Sequence, residues 1–371
     1  MILIGLSHSY LPLDLKSALY ALSLSIKSLI VFTLPFIIFG LLFKTTVTLS
    51  KTASQLIILL LVAICASNFL STMLSYSVGR IAYGLDMAIA FPTLGSELQP
   101  AWTFLLPKWI GNDRAMFSGL LFGTLLGLWK PRMAHNLAIK FDKIIGLIMK
   151  GFLVVIPLFI CGFLVKMYHD NMMGYIIQNY GRVFALTACS VFTYIVIIYA
   201  LGSYGQKVSL IQCLKNMLPA TIAGFGSMSS AAAMPLTLIG VEKNAANSDV
   251  ARSIIPATVN VHLIGDCFAI PIFAFAVMKS FGVAEPSFLT YLIFASYFVL
   301  AKFSVAAVPG GGILVMLPIL EHYLGFNPIM LSLITALYIL FDPIITSANV
   351  LGNGGFALGL SRLSKPLKKA V

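Results

Sequence analysis

The sequence predicts an all-α polytopic membrane protein whose spans surround two re-entrant helical hairpins. Three observations carry that reading. First, 59% of the 371 residues are hydrophobic and 10% are charged, with a mean hydropathy of +0.98. Soluble domains run at roughly 45–50% apolar and ~25% charged. A chain this apolar cannot cover its surface with polar groups, so a soluble globular protein is excluded. Second, the apolar residues come in runs long enough to cross a bilayer, separated by short basic gaps. Third, two apolar segments are broken internally by small and helix-breaking residues.

A spanning helix needs about 20 mainly apolar residues. In chain order the runs are Ala18–Phe43, Gln55–Val78, Trp102–Trp129, Ile144–Val165, Phe184–Leu201, Ala251–Met278 and Pro328–Leu351. Two others do not read as simple spans. Leu218–Gly240 contains GFGSMSSAAAMP, and Leu289–Tyr323 is interrupted by VPGGG at Val308–Gly312. Glycines and prolines free backbone N–H and C=O groups, which hydrocarbon cannot satisfy. Broken backbone at membrane depth is therefore tolerated only inside protein or against a wet cavity. Both segments are expected to be hairpins with buried tips.

The formal charge of +12 is distributed as a membrane protein requires, and nucleic-acid binding is not expected. Lys44 and Lys51 share one gap; Lys130, Arg132, Lys140, Lys143 and Lys150 surround another; Lys207 and Lys215 mark a third. Arg362, Lys365, Lys368 and Lys369 form the tail. Basic gaps belong on the cytoplasmic side. All of them fall there if each hairpin enters and leaves from one face, the first from the cytoplasm and the second from outside, which leaves the C-terminus cytoplasmic. The five cysteines form no CxxC pair, so no disulfide or metal framework is implied. No basic leader precedes an apolar stretch at the N-terminus, so no cleavable signal peptide is expected.

Each hairpin is followed by a span with a similar polar string, Asn260-Val-His-Leu-Ile-Gly-Asp266 and Asn349-Val-Leu-Gly-Asn353. Paired, interrupted segments of opposite orientation point to a transporter site near the bilayer midplane.

These blocks resemble the dicarboxylate/amino acid:cation symporters, which include glutamate and aspartate transporters, over residues 18–362. GSMSSAAAMPLT (Gly226–Thr237) is similar to the serine-rich tip of that family's first hairpin, and VPGGG to the tip of its second. PATVNVHLIGD (Pro256–Asp266) resembles the seventh helix, FDPIITSANVLGN (Phe341–Asn353) the eighth, and IKSLIVFTLPFIIF (Ile26–Phe39) the second. The resemblance implies a homotrimer in a bacterial-type inner membrane, and a transport domain that moves like an elevator against a scaffold. Residues 1–52 and 85–182 would be scaffold, 53–84 a transport-domain helix and 183–371 the core of the transport domain. The family's first helix is expected to be missing or shortened here, since the few residues ahead of the span that carries this block, Ala18–Phe43, cannot cross ~30 Å of hydrocarbon.

The same resemblance implies a site. Substrate contacts fall on Ser227, Ser229, Ser230, Pro309, Gly310, Gly311, Gly312, Asp266, Asp342, Thr346 and Asn349. Asp342 and Asn349 correspond to the grips for the substrate's amino and carboxylate groups. Ion coupling falls on Asn260, His262, Asp266, Asn349 and Asn353, with a possible sodium at Asn349 and Asn353. Ser67 and Asn68 lie near the third helix's contribution. The coupling ion is H+ or Na+, and no cofactor is expected.

Departures from the family shape the functional expectation. His262, Ile264 and Asn353 stand where the family has sodium-ligating asparagine, aspartate and aspartate. Ile345 replaces the arginine that grips an acidic side chain, and Asp266 replaces a threonine at that end. The local charge is thereby reversed, which predicts a neutral or cationic amino acid, or a related carboxylate, rather than glutamate. Pro343, directly after Asp342, is expected to kink its helix. His262 and Asp266, four apart on an expected helix, would share a face. A titratable pair inside a span suggests a proton relay, so protons are favoured over sodium. The alternatives are a sodium-coupled dicarboxylate symporter, or a non-transporting receptor, scaffold or channel. An intramembrane protease built on Asp266 and Asp342, or on Ser227 and His262, is not expected, because its motifs are absent and it leaves the second hairpin unexplained.

Overall fold

The computed structural model describes residues 10–51, 55–85, 98–107, 109–170, 172–206, 208–245, 247, 254–303, 305 and 310–363. Val308, Pro309, Lys207 and the lysines of the tail, which figured in the expectations above, lie outside the described residues. The described residues are mostly helical, and none of them forms a strand. The helices are α1 (Leu13–Lys51), α2 (Gln55–Gly84), α3 (Asn112–Trp129), α4 (Pro131–His169), α5 (Met172–Ser203), α6 (Leu210–Ser227), α7 (Ser230–Asn244), α8 (Ile264–Ser280), α9 (Phe288–Lys302), α10 (Gly311–Leu324) and α11 (Pro328–Leu363).

Helix ends follow local chemistry. Ser209 and Ser287 cap α6 and α9 by accepting from Gln212 N and Thr290 N. The Asn327 side chain takes two free N–H groups at the start of α11, those of Ile329 and Met330, both at 3.0 Å. These contacts satisfy donors that a helix start leaves unpaired. Gly325, at φ +68°, ends α10 in the left-handed conformation.

The helices pack in two groups. The long α1 lies against α3 and α4, while α2, α5, α6, α8 and α11 pack on one another, with the hairpins α6–α7 and α9–α10 built into that second group. α8 is its axis, with every residue from Ile264 to Met278 buried. A helix that is apolar and enclosed on all sides belongs to the interior of a large assembly. Outward faces are apolar too: Leu121, Leu147, Val154, Leu201 and Ile222 are all exposed. Three described helical stretches are long and apolar enough to cross a membrane, Leu59–Gly84, Gln178–Ser203 and Ile329–Arg362.

Both expected hairpins form. Three other expectations are corrected. Trp102–Trp129 is helical only from Asn112, because Trp102–Pro107 runs as irregular chain. Arg132, Lys140 and Lys143 do not sit in a gap but on the opening turns of α4, where Pro131 occupies the first position. The run Ala251–Met278 is not one helix: the described chain is helical over 254–258, loses helical form over 259–263, and resumes at Ile264.

Candidate functional site

Hairpin tips carry the local strain. At the first tip Met228 adopts φ +50°, and its N–H returns to Gly224 O at 2.9 Å. Ser227 Oγ donates to Ala223 O at 2.7 Å, and Ser229 Oγ accepts from Ala232 N. Those two hydroxyls serve the turn; Ser230, buried, is the serine that faces inward. At the second tip Gly310 adopts φ +72° and opens α10. Its N–H donates to Asp342 Oδ2 at 2.9 Å. Gly312 leaves no room for a side chain: a Cβ there would stand 2.4 Å from Tyr338 Oη and 2.8 Å from Asp266 Oδ2.

Between the tips is a small cavity of about 20 Å³, room for about one water. Met228 and Ser230 come from the first tip and Gly312 from the second. Asp266 and Leu263 come from the broken helix, and Asp342, Thr346 and Asn349 from α11. Of the expected substrate contacts, Ser230, Asp266, Gly312, Asp342, Thr346 and Asn349 line this cavity, whereas Ser227, Ser229 and Gly311 do not. Asp342 accepts from Thr346 Oγ1 at 3.1 Å as well as from Gly310. Asn349 Oδ1 accepts from Gly265 N at 2.8 Å and ties α11 to the start of α8.

The non-helical stretch has its own support. Buried Asn68 on α2 donates Nδ2 to Val261 O at 2.8 Å, and its Oδ1 accepts from Leu263 N at 3.2 Å. One side chain thus satisfies a carbonyl and an amide that a continuous helix would have paired internally. His262 sits within this stretch, its Nε2 2.8 Å from Ser67 Oγ and its ring 4.2 Å from that of Phe356. Among the described residues, His262 Nδ1 and Asn353 Oδ1 are buried without a hydrogen-bond partner.

The expected His262–Asp266 pair does not form. His262 and Leu263 lie outside the helix that begins at Ile264, so the four-residue spacing does not bring His262 and Asp266 onto one face. Asp266 Oδ1 instead accepts from Tyr338 Oη at 2.7 Å, and Oδ2 lies 3.1 Å from Lys302 Nζ. Both ion-pair partners are buried, Lys302 completely. Lys302 and Tyr338 were absent from the sequence-derived site. The signal for Lys302 was a lone lysine inside an apolar hairpin arm, since such a charge demands a partner. Asn260 is exposed in the turn at 259–261, away from the cavity. Pro343 leaves α11 one continuous helix through Leu363.

A profile of the sodium:dicarboxylate symporter family matches residues 114–363. The chain belongs to this family. It is an integral, multi-pass membrane protein. The chain is also similar to an excitatory amino acid transporter of Onchocerca volvulus, at 30% identity over 141 residues. That match takes in 38% of this chain and 28% of the length of the relative. The matched family segment contains both hairpins, the broken helix and all of α11.

Proposed function

We propose that the chain is a secondary active carrier of small neutral amino acids, moving substrate by an elevator motion within a homotrimer. The observation that carries this reading is the cavity itself, where two helical-hairpin tips meet buried carboxylate, hydroxyl and amide groups on α8 and α11. Asp342 would hold the substrate ammonium. The amide Nδ2 of Asn349, whose Oδ1 is committed to Gly265, and the Ser230 hydroxyl would hold the carboxylate. At about 20 Å³ the cavity admits no amino acid as it stands, so a tip must withdraw from it. The second is the candidate, because Gly310 N–H occupies the Asp342 oxygen that an ammonium would take.

The ionic balance narrows the substrate. An unpaired Asp266 would have favoured a cationic side chain, but Lys302 neutralises it. Among the described residues, one carboxylate, Asp342, remains for the ligand, and no Lys or Arg lines the cavity to receive a second substrate carboxylate. A zwitterion balances this site. Proton coupling is favoured over sodium, with His262, whose Nδ1 is buried without a geometric hydrogen bond, as the candidate group. The helices α2 and α5–α11 would move as the transport unit, and α1, α3 and α4 would be the scaffold.

The test is uptake of radiolabelled alanine, serine, aspartate and lysine into proteoliposomes under imposed proton or sodium gradients. Uptake of alanine or serine driven by an inward proton gradient, and unchanged when choline replaces sodium, is expected. Aspartate outcompeting alanine, or a sodium gradient alone driving uptake, would favour the second reading, a sodium-coupled dicarboxylate carrier. The description of the family supports that alternative. Absence of any substrate-dependent flux would favour a receptor, scaffold or channel.

A further inference from the structure

The Lys302–Asp266 pair joins two separate elements at the cavity wall. Asp266 lies in the first turn of α8, just after the broken stretch, and Lys302 is the last residue of α9, the first arm of the second hairpin. The ammonium is 3.1 Å from Asp266 Oδ2 and 4.4 Å from the centre of the Phe298 ring. It also stands at a helix C-terminus, whose unpaired carbonyls favour a cation. Tyr338 from α11 and Cys267 from α8 complete the titratable surroundings, with Asp342 across the cavity.

We propose that Lys302 is a tethered cation occupying the place of a freely diffusing coupling cation at this joint, so that the second hairpin closes over the cavity without sodium. A buried carboxylate needs a compensating positive charge, and removing one partner of such a pair is strongly destabilising. A carrier using a dissolved cation must recruit that charge at every closure. Here the hairpin brings it covalently. The inference deepens the proton-favoured reading above by stating why sodium is dispensable, and its test needs neither a substrate nor transport.

Thermal unfolding of purified wild-type protein and of Lys302→Ala is followed in choline, sodium and methylammonium chlorides at equal ionic strength. Wild-type midpoints are expected to be the same in all three salts. Lys302→Ala should unfold several degrees lower in choline and recover, saturably, in sodium or methylammonium, which can enter the vacated space. A saturable sodium stabilisation of the wild type would overturn the proposal, as would a Lys302→Ala midpoint that no cation raises. Should Lys302→Ala yield no folded protein, Lys302→Met combined with Asp266→Asn decides. Recovery of folded, salt-insensitive protein supports the tethered charge, and failure to recover it overturns it. Loss of the carrier reading would show instead as absent flux with these midpoints unchanged.

Discussion

Asp342 receives one hydrogen bond from its own helix, through Thr346, and one from the second hairpin, through Gly310. Asparagine at 342 keeps an acceptor for the hairpin but removes the counter-charge for a substrate ammonium. A charge-assisted hydrogen bond contributes about 1.5–3 kcal/mol, so Asp342→Asn should weaken alanine binding roughly 10- to 100-fold, read as ligand-induced thermal stabilisation. Unchanged affinity would place the ammonium elsewhere. Gly312 makes the complementary case by steric exclusion. A Cβ would overlap Tyr338 Oη and crowd Asp266, so Gly312→Ala should lower uptake roughly 5- to 100-fold, overpacking of this kind costing about 1–3 kcal/mol. Adding Tyr338→Phe removes the nearest obstructing atom. Partial recovery of uptake in that double variant is the expected result, and no recovery would mean the glycine matters for backbone freedom instead.

At the scale of elements, the broken helix depends on a residue outside it. Asn68→Ala leaves Val261 O and Leu263 N without their partner in a buried site, at about 1–3 kcal/mol for each unsatisfied group. Ser71 on the same helix is an internal control, since its hydroxyl only donates back to Ser67 O. Unfolding midpoints should fall clearly for Asn68→Ala and little for Ser71→Ala; equal shifts would deny Asn68 its bridging role. This contrast also separates what was legible in the sequence from what was not. Both hairpins were readable because their breakers are local: the Gly- and Ser-rich run that turns at Met228, while Pro235 stays inside α7, and the glycines after Pro309. Asp342, Thr346, Asn349, Ser230 and Gly312 reach the cavity as read from the family pattern. The break at 259–263 was not readable, because Val-Asn-Val-His-Leu contains neither glycine nor proline and its support comes from α2. The pairing of Asp266 with Lys302 and Tyr338 spans 36 and 72 residues, and helical spacing holds no information about such distances. Assigning Asp266 to His262 failed for that reason: the period was applied across residues that are not helical.

At the scale of the molecule, two helical groups meet across a narrow set of contacts. α1 and α3 reach the second hairpin through aromatic and aliphatic side chains, with the Phe117 and Tyr297 rings 6.1 Å apart and edge-on. Leu42 and Ala115 form a small cluster against Leu300 and Phe303. Buried polar residues concentrate elsewhere, around the cavity and along α2, where Asn68, Ser71, Thr72 and Ser75 are fully enclosed. Apart from Lys27 on α1, which interacts with Glu321 on α10, these contacts are apolar and non-directional and can slide without leaving polar groups unpaired, whereas the polar seam holds α2, α8 and α9 as one body through bonds such as Tyr291 Oη to Thr72 O at 2.6 Å. If the groups shift against each other during transport, joining them must stop the cycle while leaving the cavity intact. Cysteines at Phe117 and Tyr297, in a background without the five native ones, should bridge through mercuric ion and abolish proteoliposome exchange. Alanine binding by the same protein in detergent should survive, and thiol treatment should restore exchange. Full exchange in the bridged protein, with bridging verified by mass, would mean that α3 and α9 keep their contact throughout the cycle and that access to the cavity changes by movement of the hairpin alone.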